Sequence, residues 1–261
     1  MIGDYVRLDF GQSYYRDVAV LDLILEKMPV SVSLGLWTTL LTYLISIPLG
    51  IAKARRDGSA FDSWTSALVI IGYAIPGFLF AILLIVLFAG GTYWDWFPLR
   101  GLTSEGFDQL SIMGKAMDYL WHIFLPVLAM TISGFATTTL LTKNSFLDEI
   151  RKQYVITARA KGLSKSQVLW RHGLRNALLP ILPLMAMQIS TLITNAMVVE
   201  TIFSWPGIGN WLIQAIYQRD YPAIRIGMLV VSMFVVSLTI TIEFLSRAID
   251  PARDKFERGA V

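Results

Sequence analysis

The run "VSVSLGLWTTLLTYLISIPLGIA", from Val30 to Ala52, contains no charged residue and is long enough to cross a membrane. Crossing the hydrocarbon core of a bilayer takes about 20 predominantly apolar residues in a helix. A helix in a soluble globular protein averages only about 10–14 residues. The stretch therefore predicts a transmembrane helix, and with it a chain that folds in lipid.

Further windows of the same kind follow along the chain. The complete set is Val30–Ala52, Trp64–Gly91, Leu120–Thr142, Leu178–Phe203 and Ile226–Ser246. None of them contains lysine or arginine, and the chain as a whole is 55% hydrophobic and 16% charged. Soluble domains are about 25% charged. We therefore expect an all-α, polytopic transmembrane helix bundle with about five spans.

The basic residues between these windows indicate the orientation of the chain in the membrane. The segments 53–62, 143–178 and 247–261 hold 15 lysines and arginines. The segments predicted on the other side of the membrane hold 7. This distribution predicts a cytoplasmic C-terminus, an external segment at residues 1–29 and a membrane domain at residues 30–261. Because residues 1–29 lack signal-peptide character, we expect that the chain lacks a first helix.

The cytoplasmic segment at residues 143–178 predicts a helical hairpin. Its first half, from Asn144 to Ala160, carries apolar side chains at helical spacing on one face. That face is Phe146, Leu147, Ile150, Tyr154 and Ala158, and the opposite, solvated face is Asp148, Glu149, Arg151 and Lys152. We therefore expect one helix over this half.

The middle of the hairpin carries a stop signal and a restart signal. Gly162 stands where the end of a helix needs a residue that tolerates positive φ. Ser164 and Gln167 have the spacing of a capping box, so a second helix starts near Lys165 and continues towards Pro180. A solvated loop that only satisfies the charge rule remains the alternative. The stop and the capped restart favour a rigid docking element.

These residues resemble a known loop. "ARAKGLS" and "RHGLRNALLP" are similar to the EAA loop of ABC-importer permeases in the dipeptide and oligopeptide branch, although Ile156 and Thr157 replace its glutamate and first alanine. "DFGQSY", "LPVLAM", "VVETIFSWPGIG", "RDYP" and "DPARDKF" match this branch in the expected order, with Ala252 interrupting the last. The run from Thr142 to Gly162 resembles oligopeptide permeases associated with uptake of microcin C, a peptide-nucleotide antibiotic.

The resemblance implies a type I ABC importer permease fold in a bacterial inner membrane, with one more N-terminal helix than the sequence carries. It implies that the hairpin docks on an ATPase subunit and switches the permease between its inward-facing and outward-facing states. The expected coupling residues are Ala158, Lys161, Gly162, Leu163, Ser164, Lys165, Gln167 and Val168. The implied partners are a second homologous permease, two cytoplasmic ATPase subunits, an external substrate-binding protein and membrane lipid, but no nucleic acid.

The "VVETIFSWPGIG" segment is expected, by the same resemblance, to form part of the external gate. The gate residues are Glu200, Trp205, Pro206, Gly207 and Gly209. Pro206 and the two glycines predict a turn. Trp205, Trp211 and Tyr217 are aromatic residues typical of a membrane interface.

Polar residues inside the windows are candidates for a translocation path. Gln188, Thr191 and Asn195 share one face of the fourth window. The same residue types also form hydrogen bonds between helices, and the sequence does not decide between the two roles. Pro76 predicts a packed kink rather than a hinge in the second window. Glu243 and Arg247 predict an ion pair at a helix end rather than a proton relay.

Several kinds of chemistry are missing from the sequence. Gly114-Lys115 is followed by alanine and is no phosphate loop, so ATP hydrolysis is expected on a separate chain. The chain has no cysteine, and its lone histidines, His122 and His172, predict no metal site. No catalytic residue, cofactor or enzymatic activity is expected. An ion-gradient-driven secondary transporter remains the alternative, although its acidic candidates, Glu200 and Glu243, lie near the ends of their windows.

Overall fold

The computed structural model describes residues 10–168, 174–179 and 181–249 of the 261-residue chain. Regular structure in these residues is helical, apart from one isolated antiparallel bridge between Gln12 and Ala19. The helices are α1 (Val20–Arg55), α2 (Ala60–Ala74), α3 (Gly77–Phe88), α4 (Ile112–Ile150), α5 (Gln153–Ala160), α6 (Lys165–Val168), α7 (Leu174–Leu178), α8 (Ile181–Ile202), α9 (Ile208–Gln218) and α10 (Tyr221–Ile249). The predicted all-α class is confirmed.

Three helices in the described part of the chain, α1, α4 and α10, are long and apolar enough to cross a membrane. The pair α2 and α3 meets the same test together, which makes up to four spans. The window Leu178–Phe203 coincides mostly with α8, several of whose side chains lie outside the described residues. That fifth span stays a prediction.

The long helices extend beyond the apolar windows. Helix α1 begins at Val20 rather than Val30, and α4 covers Ile112 to Ile150 rather than Leu120 to Thr142. A hydropathy window detects only the stretch that suits hydrocarbon, whereas the backbone hydrogen bonds of a helix continue into polar surroundings. The windows therefore locate the helices but underestimate their length.

The second window is not one kinked helix. Helix α2 ends at Ala74 and α3 begins at Gly77, with a break between them. Proline removes a backbone donor and disfavours helical geometry at the residue before it, here Ile75. The predicted packed kink at Pro76 is therefore wrong, because the helix is interrupted.

The chain divides into two compact units. Unit 1 comprises Met1–Thr39, Ile75–Thr131 and Thr191–Val235. Its apolar core gathers the start of α1, most of α9 and the start of α10. The core residues are Val20, Leu23, Ile24, Ile208, Trp211, Leu212, Ala215, Ala223 and Ile226.

Unit 2 comprises Leu40–Ala74, Ile132–Ser190 and Val236–Val261. Its apolar cluster joins α1, α4 and α7 and consists of Ile51, Ala54, Phe146 and Ala177. Gly50 allows α1 and α4 to approach closely, because a Cβ atom at Gly50 would lie 2.6 Å from Cβ of Thr142. This packing supports the base of the hairpin.

Candidate functional site

The hairpin turn in unit 2 ends α5 as the sequence predicts. Gly162 has a φ of +85°, which favours glycine over residues with a side chain. Its N–H donates to the carbonyl of Arg159 at 3.0 Å, and the N–H of Leu163 donates to the carbonyl of Ala158 at 3.4 Å. These two bonds form a Schellman motif, which satisfies carbonyl groups at the end of the helix.

The predicted capping box is also confirmed. The N–H of Gln167 donates to Oγ of Ser164 at 3.3 Å, and Oε1 of Gln167 accepts from the N–H of Ser164 at 3.0 Å. Helix α6 starts directly after Ser164. Lys161, Gly162, Ser164 and Gln167 are exposed, whereas Val168 is buried. The turn is therefore rigid and accessible, while the described end of α6 is packed.

The helices around this turn differ from the prediction. The single helix expected from Asn144 to Ala160 is wrong, because α4 ends at Ile150 and α5 begins at Gln153. The second helix begins at Lys165, as predicted, and both Lys165–Val168 and Leu174–Leu178 are helical. Residues 169–173, which include His172, and Pro180 lie outside the described residues.

Glu149 lies beside the break between α4 and α5. Its side chain is only 4% exposed, so its predicted place on the solvated face is wrong. The carboxylate accepts hydrogen bonds from the Tyr154 hydroxyl and from Nδ2 of Asn176 at 3.1 Å, and it pairs with Nζ of Lys152 at 2.6 Å. Burial, followed by the bond to Glu149, raises the pKa of the Tyr154 hydroxyl above its usual range.

A second charged cluster in unit 2 was not predicted. Lys53 is 0% exposed; its Nζ lies 3.0 Å from Oδ1 of Asp62 and donates to two hydroxyl groups of α2. Oδ2 of Asp62 lies 2.6 Å from Nζ of Lys143, which also pairs with Asp57 at 2.9 Å. These contacts fix the α1–α2 turn to α4. The sequence predicted only that these residues lie in cytoplasmic connections. The number of charged residues in a segment does not show which of them pair with one another.

Gln188, a member of the predicted translocation path, forms hydrogen bonds with two other helices. Its Nε2 donates to Oγ1 of Thr138 at 2.8 Å, and its Oε1 accepts from the hydroxyl of Tyr43. Asn195 is half-buried, and the side chain of Thr191 lies outside the described residues. The amide of Gln188 therefore links α8 to α1 and α4 through hydrogen bonds.

Glu200 is the centre of the predicted gate segment, in unit 1. Its side chain is 1% exposed, and one carboxylate oxygen accepts a hydrogen bond from Ser31. The other oxygen accepts from the N–H of Asn210 at 3.1 Å, in the first turn of α9. Oγ of Ser31 in turn accepts from the N–H of Ile208 at 2.8 Å. Glu200 and Ser31 thus cap α9 and satisfy N–H groups that a helix start leaves unpaired.

The other gate residues pack around this cap. Gly207 precedes α9, and a Cβ atom there would collide with the carboxylate of Glu200. Trp205 is 1% exposed, and its carbonyl accepts from Nδ2 of Asn210 at 2.7 Å. Pro206 is exposed beside it. The structure therefore brings four of the five predicted gate residues, including Gly209, into one tightly packed turn.

The aromatic residues of this segment do not all lie at the surface. Trp205 and Trp211 are buried in unit 1, whereas Tyr217 is 83% exposed. The prediction of an interfacial belt is therefore wrong for the two tryptophans, whose side chains fill the interior around α9. Aromatic composition alone could not distinguish packing against protein from packing against lipid headgroups.

Asp220 in "RDYP" has a structural role that the sequence did not reveal. Its carboxylate accepts from the Ser13 hydroxyl, from the N–H of Tyr14 at 3.2 Å and from the N–H of Ala223 at 3.3 Å. It therefore caps α10 and holds the N-terminal segment "GQSY". An N-cap signal, aspartate before an apolar helix, was available in the sequence.

The remaining candidates lie apart from these clusters. His122 is buried, and its Nδ1 lies 2.8 Å from the carbonyl of Asp118. Within the described ranges, no group of three or more His, Asp or Glu side chains is placed to hold a metal ion. Arg247 pairs with Glu243 at 3.2 Å and both are exposed, as the predicted helix-end ion pair requires.

Comparison with known proteins identifies relatives over most of the chain. Residues 46–255 match the family model described as binding-protein-dependent transport system inner membrane component. The peptidoglycan transport system permease protein YejB of Agrobacterium fabrum (strain C58) is 52% identical over 262 residues, which cover 100% of this chain and 72% of that protein. The oligopeptide transport system permease protein AppB of Bacillus subtilis (strain 168) is 35% identical over 251 residues, covering 96% and 77%.

A solved structure has the same fold. The chain resembles one from an inward-facing crystal structure of the MetNI methionine ABC transporter with a TM-score of 0.66. The match has 15% sequence identity and covers 88% of this chain and 97% of the other. At this identity the similarity concerns the fold alone. The predicted type I ABC importer permease fold is confirmed.

Proposed function

The chain belongs to the binding-protein-dependent transport system inner membrane components, and from that membership we propose that it couples ATP hydrolysis on partner subunits to the uptake of peptides or peptide-like solutes. It is a multi-pass ABC transporter permease of the peptide-transport type, a transport component rather than an enzyme. Relatives named for peptidoglycan and for oligopeptide transport support solutes that contain peptide bonds.

The hairpin turn is the observation that carries this proposal. Its Schellman motif and capping box connect α5 to α6 through Gly162 without a flexible linker. A rigid, exposed turn transmits the movement of a docked subunit to the helices, whereas a flexible loop would deform instead. The turn, with Ala158, Lys161, Leu163, Lys165 and Val168, is the element that a cytoplasmic ATPase subunit moves when it closes on ATP.

The complete transporter contains further subunits in this proposal. A second homologous permease, two ATPase subunits on the cytoplasmic side and an external substrate-binding protein surround this chain in the membrane lipid. The excess of basic residues in segments 53–62, 143–178 and 247–261 supports a cytoplasmic hairpin and a cytoplasmic C-terminus. Residues 1–29 are the external segment, and residues 30–261 form the membrane domain.

The solute path and the external gate are assigned to separate regions. Gln188, Thr191 and Asn195 line the path, and passage of solute past Gln188 requires its hydrogen bonds to Tyr43 and Thr138 to exchange. The turn at Glu200, Trp205, Pro206, Gly207 and Gly209 forms the gate. The buried cap formed by Glu200 and Ser31 joins α8 to α9, so the two helices move together when the gate opens.

Disulfide cross-linking tests the docking proposal directly, since the chain has no cysteine. Ser164→Cys is combined with single cysteines in the docking clefts of the ATPase subunits. We expect a cross-link whose yield changes with ATP. Tyr217→Cys, exposed in unit 1, is the matched control and should give no such cross-link. If Ser164→Cys captures no ATPase in the folded, membrane-inserted protein, the proposed docking role of the hairpin turn is wrong.

A further inference from the structure

The break between α4 and α5 is a flexible point between the hairpin turn and the membrane domain. Arg151 and Lys152 lie outside both helices, so the ladder of helical hydrogen bonds is interrupted there. Two unconstrained residues would let α5 turn against α4. A displacement of α6 would then be lost as bending at the break.

Glu149 braces this break from within α4. It binds Lys152 in the break, Tyr154 in α5 and Asn176 in α7, three partners from three segments. Nδ2 of Asn176 also donates to the Tyr154 hydroxyl at 3.1 Å, which closes a triangle of hydrogen bonds. The amide of Asn176 thus donates to both the carboxylate and the Tyr154 hydroxyl, and the hydroxyl donates to the same carboxylate, so both arms of the hairpin are joined to Glu149.

The surroundings of Glu149 make this brace stiff. A buried carboxylate is costly unless donors surround it, so the loss of one partner weakens the whole cluster. Beside it, Ala177 of α7 packs against Phe146 of α4, with Ile150 and Leu174 at the edge of the same apolar cluster. Polar and apolar contacts therefore hold α7 against the end of α4.

From this geometry we propose that Glu149 is a positioning residue of the transport cycle, which holds both arms of the hairpin to α4 so that movement of the turn reaches the membrane domain. The proposal rests on the proposed coupling function of the hairpin. Glu149 itself touches neither solute nor ATP. Its effect is on the efficiency with which ATP hydrolysis drives transport.

The first test measures the brace without any partner subunit. Spin labels are attached to Asn144→Cys in α4 and Arg159→Cys in α5, both exposed positions. Pulsed electron paramagnetic resonance then gives the distribution of label distances. We expect a narrow distribution that broadens in Glu149→Gln and in the milder Tyr154→Phe. Unchanged widths in both variants would overturn the proposal.

The second test measures coupling in the complete transporter. Glu149→Gln and Tyr154→Phe should lower the solute transported per ATP hydrolysed by about threefold or more, an effect of the size seen for residues that carry coupling between sites. Glu243→Gln, the same change in an exposed ion pair of unit 2, is the control and should leave the ratio unchanged. A parallel loss of transport and ATP hydrolysis in the Glu149 and Tyr154 variants indicates a purely structural role and overturns the proposal.

The two tests separate this proposal from the function on which it rests. If the unmodified chain with its partners shows no ATP-dependent transport, the proposed function fails. The distance distributions still decide whether Glu149 braces the hairpin. If transport is normal and the variants keep both their narrow widths and their coupling, the function stands and the brace is wrong.

Discussion

Two glycines in the gate segment are required for space rather than for backbone conformation. Gly207 has a φ of −89°, and Gly209 lies inside α9. The positive φ of this turn belongs to Ser204, at +52°. A Cβ atom on Gly209 would lie 2.5 Å from Cα of Met197, a backbone atom that cannot swing away. The pattern "PGIG" thus marks a close approach of α9 to α8.

Replacement of Gly209 by alanine should therefore destabilise the protein. We expect Gly209→Ala to cost about 1–3 kcal/mol, because the extra methyl group overpacks the contact with Met197. Gly35→Ala is the matched control in α1, where nothing lies within 4 Å of the added Cβ. That change should be neutral or stabilise the helix by about 0.5–1 kcal/mol. Thermal unfolding midpoints in detergent compare the two, and equal midpoints would contradict the steric argument.

The hairpin shows how short elements are fixed by local signals and by distant partners together. Gly162, Ser164 and Gln167 act through bonds to near neighbours, so their roles were visible in the sequence. Near the end of α4, Glu149 binds Asn176, which is 27 positions away in sequence. The four-residue helix α6 is kept in place by its cap and by the buried side chain of Val168.

A substitution at Gly162 separates the stability of the hairpin from its proposed task. Gly162→Ala should cost about 1–2 kcal/mol, because a residue with a Cβ resists the left-handed region. Gly106→Ala is the control, since Gly106 has a φ of +81° and no atom within 4 Å of an added Cβ. Both variants should unfold at a lower temperature, but only Gly162→Ala should reduce ATP-coupled transport. An equal loss of transport in both variants would contradict the proposed role of the turn in coupling.

The molecule as a whole places its charges unevenly, and the distribution predicts its orientation. Part of the basic charge of unit 2 is paired, because Lys53 and Lys143 form ion pairs with Asp62 and Asp57. Breaking a buried pair by removal of one partner costs about 3–5 kcal/mol. The same lysines therefore belong to the charge pattern that predicts the orientation and also pack the α1–α2 turn against α4.

Labelling of single cysteines tests the orientation. A membrane-impermeant maleimide is applied to intact cells that carry either Tyr217→Cys, in the last turn of α9, or Ser164→Cys in the hairpin turn. We expect Tyr217→Cys to react from outside and Ser164→Cys to react only after the membrane is permeabilised. The reverse pattern would contradict the inference from the basic residues.

Much of this protein was determined by its sequence alone. Long apolar windows without lysine or arginine predicted the helices, because lipid accepts no unpaired backbone groups and only a helix satisfies them within one segment. The glycine stop, the capping box and the Glu243–Arg247 pair were predicted because each involves residues at most five positions apart. Local hydrogen bonds leave a pattern in the sequence that can be detected without the fold.

Only the tertiary structure decided the features that depend on distant partners. Prolines occur in four of the five windows, yet α1 continues through Pro48 and α4 through Pro126, while the helix breaks at Pro76. Glu149 and Lys53 belong to residue types expected in water, and each is buried because donors or acceptors from other segments surround it. A charged side chain is stable in the interior only when its partners converge in space, and linear spacing does not contain that information.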